Sequence, residues 1–133
     1  MVKFDLDKIK GLEKIYRLNL INSCTGYKSA NLIGSIDKEG NTNLAIFSSI
    51  THLGSDPAMI GFVLRPRTVP RNTYNNIFKN KYFTVNHVFE NDIADAHHTS
   101  AKYPKEVSEF DVTKLEPEFL DGFEAPFLSL IHI

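Results

Sequence analysis

The chain has 133 residues, 42% hydrophobic and 23% charged, with a formal net charge of −1. That is one domain of ordinary globular composition, able to bury roughly two thirds of its unfolded surface. Its single cysteine, Cys24, excludes an internal disulfide framework and fits a reducing, cytoplasmic compartment. The charged start MVKFDLDKIK lacks the apolar core of a secretory signal, and no apolar run approaches the ~20 residues that span a bilayer. A pI near 6.5 argues against a basic nucleic-acid-binding domain.

In chain order, Ile9, Leu12, Ile15 and Tyr16 recur at helical spacing and predict a short helix from Lys8 to Leu20, weakly interrupted by Gly11. From Ser29 the pattern changes. SANLIGSI, DKEGN and TNLAIFSSI read as strand, tight turn and strand, with Gly40 giving the turn its backbone freedom. AMIGFVL follows the turn signal GSDP as a third strand, and Pro66 and Pro70 then forbid regular structure. NTYNNIFKN fits a short helix capped by Asn72 or Thr73. KYFTVNHVF is rich in β-branched and aromatic residues and reads as a strand. Asp92 to Ser100 reads as helix, the stretch after Tyr103 as loop, and EAPFLSLIHI as a last strand. Few, short helices beside these strands indicate an antiparallel β-barrel or sandwich with peripheral helices. A closed barrel has no free edge, so an apolar final strand is expected to pair with another chain or to mark a truncated protein.

Charge is unevenly spread. Residues 57–89 hold Arg65, Arg67, Arg71, Lys79 and Lys81 and no acid, a local +5, whereas residues 90–124 hold ten acids against three lysines, a local −7. The acidic half reads as solvated surface. The three arginines are too clustered, and too close to two prolines, to be only a helix face. Ser48 and Ser49 before them, and a helix start at Asn72 and Thr73 after them, complete the parts of a phosphate site. The surrounding apolar strands point to a ligand whose other end is a flat, mostly apolar body.

The stretch TGYKSANLIGSIDKEGNTNLAIFSSITHLGSDPAMIGFVLRPRTVPRNTYNNIFKNKYFTVNHV resembles the flavin reductase-like, FMN-binding split-barrel family. The shared pattern is a strand "dG..NlA.fSs...lgsdPp..gf", an Arg/Lys-x-Thr-x-x-Asn-Ile helix start and "(f)(t)vN". The match extends weakly through AHHTSAKYPKEVSEFD and EAPF, covering about residues 16 to 127. It implies a Greek-key split β-barrel with FMN held noncovalently near a homodimer interface. It also implies cofactor contacts from Asn31, from Phe47, Ser48, Ser49 and Ile50, from Arg65, Arg67, Arg71 and Thr73, and from Asn86 and His87. Two departures stand out: family members continue beyond the EAPF segment, and Asn72 stands where close relatives more often carry His. The expectation is therefore a single domain over residues 1–133, incomplete at its C-terminus.

Each candidate has a plainer alternative. One serine of the Ser48–Ser49 pair could face solvent while the other satisfies a turn amide; the resemblance favours flavin contact. Of the arginines, Arg65 and Arg71 are the preferred phosphate partners, with the remainder surface charge. Thr73 could cap the helix and touch phosphate at once. Asn is disfavoured in strands, so Asn31 and Asn86 either bond the flavin or hold a neighbouring loop. His87 either lines the flavin pocket or packs in the interior. His97 and His98, adjacent on a helix, diverge by about 100° and cannot grip one metal together; His97 is expected to make a structural hydrogen bond. Cys24 reads as a buried apolar residue rather than a nucleophile.

The resemblance implies an oxidoreductase passing reducing equivalents from NADH or NADPH to flavin. The competing readings are an FMN-binding electron carrier without reductase turnover, and a remnant that binds nothing. Flavin chemistry needs no catalytic triad, and the chain carries no G-x-G-x-x-G fingerprint or P-loop that would mark a nicotinamide or nucleotide site.

Overall fold

The computed structural model describes residues 4–65 and 70–129. Two helices open the chain, α1 (Leu6–Gly11) and α2 (Lys14–Ser23), where periodicity predicted one. The break is made by local bonds. The Glu13 carboxylate accepts from the Ile15 and Tyr16 N–H groups at 2.9 and 3.1 Å, starting α2. The Arg17 guanidinium donates to the Lys10 and Leu12 carbonyls at 2.9 and 3.2 Å, finishing α1. Neither helix buries a side chain.

Strands β1 (Asn31–Ile36) and β2 (Thr42–Phe47) pair antiparallel, as expected. Their turn is organised by Asp37, whose Oδ1 accepts from the Glu39 and Asn41 N–H groups at 3.0 and 2.9 Å. Gly40 takes φ 89°, a conformation that side chains resist. Next, β3 (Thr51–Ser55) and β4 (Ala58–Gly61) form a separate hairpin around a cis Asp56–Pro57 bond. β3 escaped the sequence reading because Gly54 and polar flanks dilute its pattern, and β4 is shorter than the expected AMIGFVL. After α3 (Asn72–Asn80), β5 (Thr84–His87) pairs antiparallel with the other edge of β1. Helix α4 (Ile93–His98) follows, and β6 (Pro117–Leu120) and β7 (Phe123–Leu128) make a last hairpin. β6 lies in the stretch read as loop; Pro117 suits the first residue of an edge strand. Among the described residues the sheets are β2-β1-β5, β3-β4 and β6-β7, and no ladder joins them into a closed barrel. The protein is mainly strands with a few helices, and Leu130 to Ile133 of the expected final strand lie outside the described residues.

β1 is buried on both faces. The pleat sends Leu32 and Gly34 one way and Asn31, Ile33 and Ser35 the other. On the first face Leu32, Leu44, Ala96, Phe110, Leu115 and Leu128 form the core, with Ile46 and Val88 packed against it. β7 crosses so close to β1 that a Cβ on Gly34 would collide with the Pro126 carbonyl oxygen and the Thr84 hydroxyl. Thr84 donates to that same carbonyl at 2.6 Å. A short 3-10 turn, Glu109–Asp111, closes the edge of β2: the buried Glu109 carboxylate accepts from the Leu44 N–H at 2.8 Å, and the Ser108 and Thr42 hydroxyls meet at 2.8 Å. The second face of the sheet belongs to α3.

Candidate functional site

Helix α3 is bound to that face through polar side chains. Thr73 Oγ1 accepts from Asn43 Nδ2 at 3.0 Å, Asn76 Nδ2 donates to Ser35 Oγ at 3.3 Å, and Asn80 Nδ2 donates to the Ile36 carbonyl at 2.6 Å. Residues 73, 76 and 80 form one stripe of a helix. Asn43 and Ser35 are register partners on β2 and β1, so two anchors share one cross-strand row. Lys81, at φ 68°, ends the helix in the left-handed region.

At the other end, the N-cap is Arg71 rather than Asn72 or Thr73, and no side chain caps the helix. Arg71 Nε is buried and has no hydrogen-bond partner among the described residues. Thr73 is 6% exposed, and its oxygen already accepts from Asn43. A buried guanidinium N–H, a hydroxyl and the positive end of a helix thus meet at one place, with no acid anywhere in residues 57–89.

The other candidates divide between the two faces. Asn31 pairs with Phe47 on one side and His87 on the other, so the three form a row across the sheet. By strand alternation they share the face that carries Asn43. Asn31 is buried and its amide donates to the Ser29 carbonyl at 3.4 Å and the Ser29 hydroxyl at 3.1 Å. His87 is exposed, not packed in the interior. It lines an open cleft of about 260 Å³ at the β5 edge with Val85, Asn86, Phe89, Glu118, Leu120, Phe127 and Leu128, so the cleft takes in residues of both faces. Asn86 points to the opposite face and is fully used there: its Nδ2 donates to the Leu32 carbonyl and Thr84 Oγ1, each at 3.0 Å, and its Oδ1 accepts from the Leu128 N–H at 3.0 Å. Of the two readings of Asn86, the loop-holding one describes what its amide does.

Ser49 ties the base of the β3–β4 hairpin, donating to the Val63 carbonyl at 3.2 Å and accepting from the Val63 N–H at 3.1 Å. Ser48 and Arg65 are exposed, Ile50 is half-buried, and Arg67 lies outside the described residues. Asn43 and Asn76 escaped the sequence reading. An Asn inside a strand is the signal that singled out Asn31 and Asn86, and it applies equally to Asn43. Phe62 and Phe83 also join the site's surroundings: Phe62 meets Phe47 and Phe83 edge to face, with centroids 5.1 and 5.2 Å apart.

Two smaller expectations change. His98, not His97, makes the hydrogen bond, with Nε2 2.8 Å from the Tyr103 hydroxyl; among the described residues His97 has no side-chain partner. Cys24 is exposed rather than buried. Asp37 is an electrostatic anchor: burial opposes its ionisation, but bonds from the Asn41 side chain and backbone, the Lys105 ammonium and the Glu39 N–H outweigh it and hold the carboxyl well below its usual range.

The pattern of the flavin reductase like domain matches residues 27–130 of this sequence. The chain belongs to that family. A solved structure from Shewanella frigidimarina NCIMB 400, provisionally assigned as a flavin reductase with a split barrel domain, is 46% identical. It superposes with a TM-score of 0.92 over 98% of this chain and 64% of that one. The nitrilotriacetate monooxygenase component B of Bacillus cereus is 22% identical and shares the fold, with a TM-score of 0.80 over 97% of this chain and 63% of that one. An uncharacterized protein of Aquifex aeolicus (strain VF5) is 31% identical over 96 residues, 71% of this chain and 49% of that protein. The chain thus spans about half to two thirds of the length of these relatives. The family is one of flavin-related oxidoreductases. No helix among the described residues is long and apolar enough to cross a membrane.

Proposed function

We propose that the chain binds FMN, with the phosphate at the N-terminus of α3 and the ring system toward the Phe47–Asn31–His87 row. The observation that carries this reading is the buried Arg71 Nε without a partner among the described residues, at a helix start that no side chain caps. A buried donor left unpaired costs about 1–3 kcal/mol, and an anionic oxygen at this end of the helix would satisfy it. The residues present therefore fit a phosphate. Asn43 and Phe47 share a face of β2 four residues apart, about 13 Å along a strand, which suits an elongated ligand with one anionic and one flat end.

In this reading Arg71 supplies the counter-charge and Thr73 a hydroxyl donor. Arg65 supplies further positive charge, and so does Arg67, which lies outside the described residues, while Ser48, Ser49 and Ile50 border the ring at the end of β2. Asn31 and His87 approach from the other strands; Asn86 holds β7 from the opposite face. FMN, when bound, supplies the redox chemistry, accepting reducing equivalents from NADH or NADPH. The chain's own groups bind, orient and shield; none is needed as an acid, base or nucleophile. The proposal extends to a Greek-key closed barrel, to a single domain over residues 1–133, to a homodimer with FMN near the contact, and to a cytoplasmic setting.

The test is an absorbance spectrum of the purified protein with FMN, before and after adding NADH or NADPH. A flavin spectrum that bleaches, with turnover when excess flavin is present, supports the reductase reading. A bound flavin that neither nicotinamide reduces indicates the electron carrier. Protein that takes up no flavin contradicts the proposal.

A further inference from the structure

We infer that Asn43 is a positioning residue for the anion site: it fixes the Thr73 hydroxyl as a donor to the ligand. This rests on the FMN-phosphate reading above and adds a residue to it. A hydroxyl has one hydrogen to give and can accept in return. In most surroundings it rotates to suit its partner, so a threonine at a helix start can turn its hydrogen toward protein or toward a ligand. Here the choice is made. Asn43 and Thr73 are each 6% exposed, and the Asn43 amide donates to Thr73 Oγ1 at 3.0 Å. With its oxygen accepting from Asn43, the Thr73 O–H hydrogen is directed elsewhere, and it has no protein acceptor among the described residues.

Thr73 is the second residue of α3, just after the N-cap Arg71, whose helix start has no side-chain cap and whose buried Nε–H has no partner among the described residues. The Thr73 hydroxyl hydrogen and the Arg71 Nε–H thus both lack acceptors among the described residues. The side chain that reaches Thr73 from β2 is an amide that donates. Asn43 sits at this point because β2 and β1 pair in register and α3 is clamped one turn further on by Asn76 and Ser35. The donor set selects for an acceptor-only ligand group such as a phosphate monoester.

The experiment compares FMN with riboflavin, which lacks the phosphate, on the full chain and two variants by fluorescence titration. Asn43→Asp keeps the shape but accepts from Thr73, turning its hydrogen inward and adding negative charge. Thr73→Val keeps the shape and removes the hydrogen. Each variant is expected to lower FMN affinity roughly tenfold or more while changing riboflavin affinity less than about twofold. In the Thr73→Val background, Asn43→Asp should cost less than it does alone, since the hydroxyl it reorients is gone. A merely structural role for Asn43 would weaken both flavins equally. If either variant keeps its parent's FMN-to-riboflavin ratio, the inference fails. If the parent itself binds the two flavins equally, the phosphate reading fails, and this inference with it.

Discussion

At the scale of single residues, two buried polar groups on opposite sides of the sheet carry opposite meanings. Arg71 Nε is buried without a partner among the described residues, and the proposed function assigns it a ligand oxygen. Glu109 is buried with one, and its bond to the Leu44 N–H secures the edge of β2. Burial pushes the Glu109 carboxyl up from its ordinary 4.5, against the Leu44 and Glu109 N–H groups that pull it down. A carboxyl whose folded pKa is raised holds its proton more tightly in the native state. Its contribution is therefore greatest below the unfolded pKa and declines as pH rises through the folded one. Glu109→Gln, which still offers an acceptor to Leu44, should show a flatter stability profile from about pH 4.5 upward than the parent, read by urea denaturation at several pH values. Identical profiles would contradict this. Glu109→Ala leaves the Leu44 N–H unsatisfied and should cost about 1–3 kcal/mol.

At the scale of elements, α3 shows how much the sequence discloses and where it stops. NTYNNIFKN predicts the helix with the bounds it has, Asn72–Asn80. Its attachment is less legible, because it docks through Thr73, Asn76 and the half-buried Asn80 while Phe78 is 62% exposed. Apolar periodicity cannot find a helix that docks through amides. The cap was misread for a related reason: Asn72 and Thr73 are good capping types, but Thr73 is engaged by Asn43 and the cap falls on Arg71. The β1–β2 hairpin was legible because Asp37 and Gly40 form a turn from local sequence alone. β6 was not, because a short edge strand starting at Pro117 carries little pattern of its own. Of the strand-end serines, the structure shows the plainer alternative, Ser48 exposed and Ser49 accepting from the Val63 N–H. The division of Asn31 and Asn86 onto opposite faces needed the register. Gly34 is a further element-scale test. Gly34→Ala would force a methyl into the Pro126 carbonyl, where backbone cannot readily yield, and should destabilise by at least ~2–3 kcal/mol in thermal or denaturant unfolding. A stability within about 0.5 kcal/mol of the parent would mean that β7 does not cross β1 so closely.

At the scale of the whole molecule, a well-buried three-stranded sheet carries less well-covered appendages. On the β3–β4 hairpin and the residues after it, Leu53, Ile60 and Val63 are 61%, 64% and 68% exposed. A lone two-stranded hairpin is marginal in water, so association of two copies is expected to cover it. Sedimentation velocity at micromolar concentration should show twice the 15.1 kDa chain mass, and a monomer that still binds FMN would contradict the dimer. The central claim, that the N-terminus of α3 takes the phosphate of a flavin nucleotide, is tested most directly by titrating FMN and riboflavin into the parent and into Arg71→Ala. FMN binding is expected to weaken roughly 10- to 100-fold in the variant, for a charge-assisted bond worth about 1.5–3 kcal/mol, while riboflavin binding is nearly unchanged. FMN bound as tightly by Arg71→Ala as by the parent would contradict it.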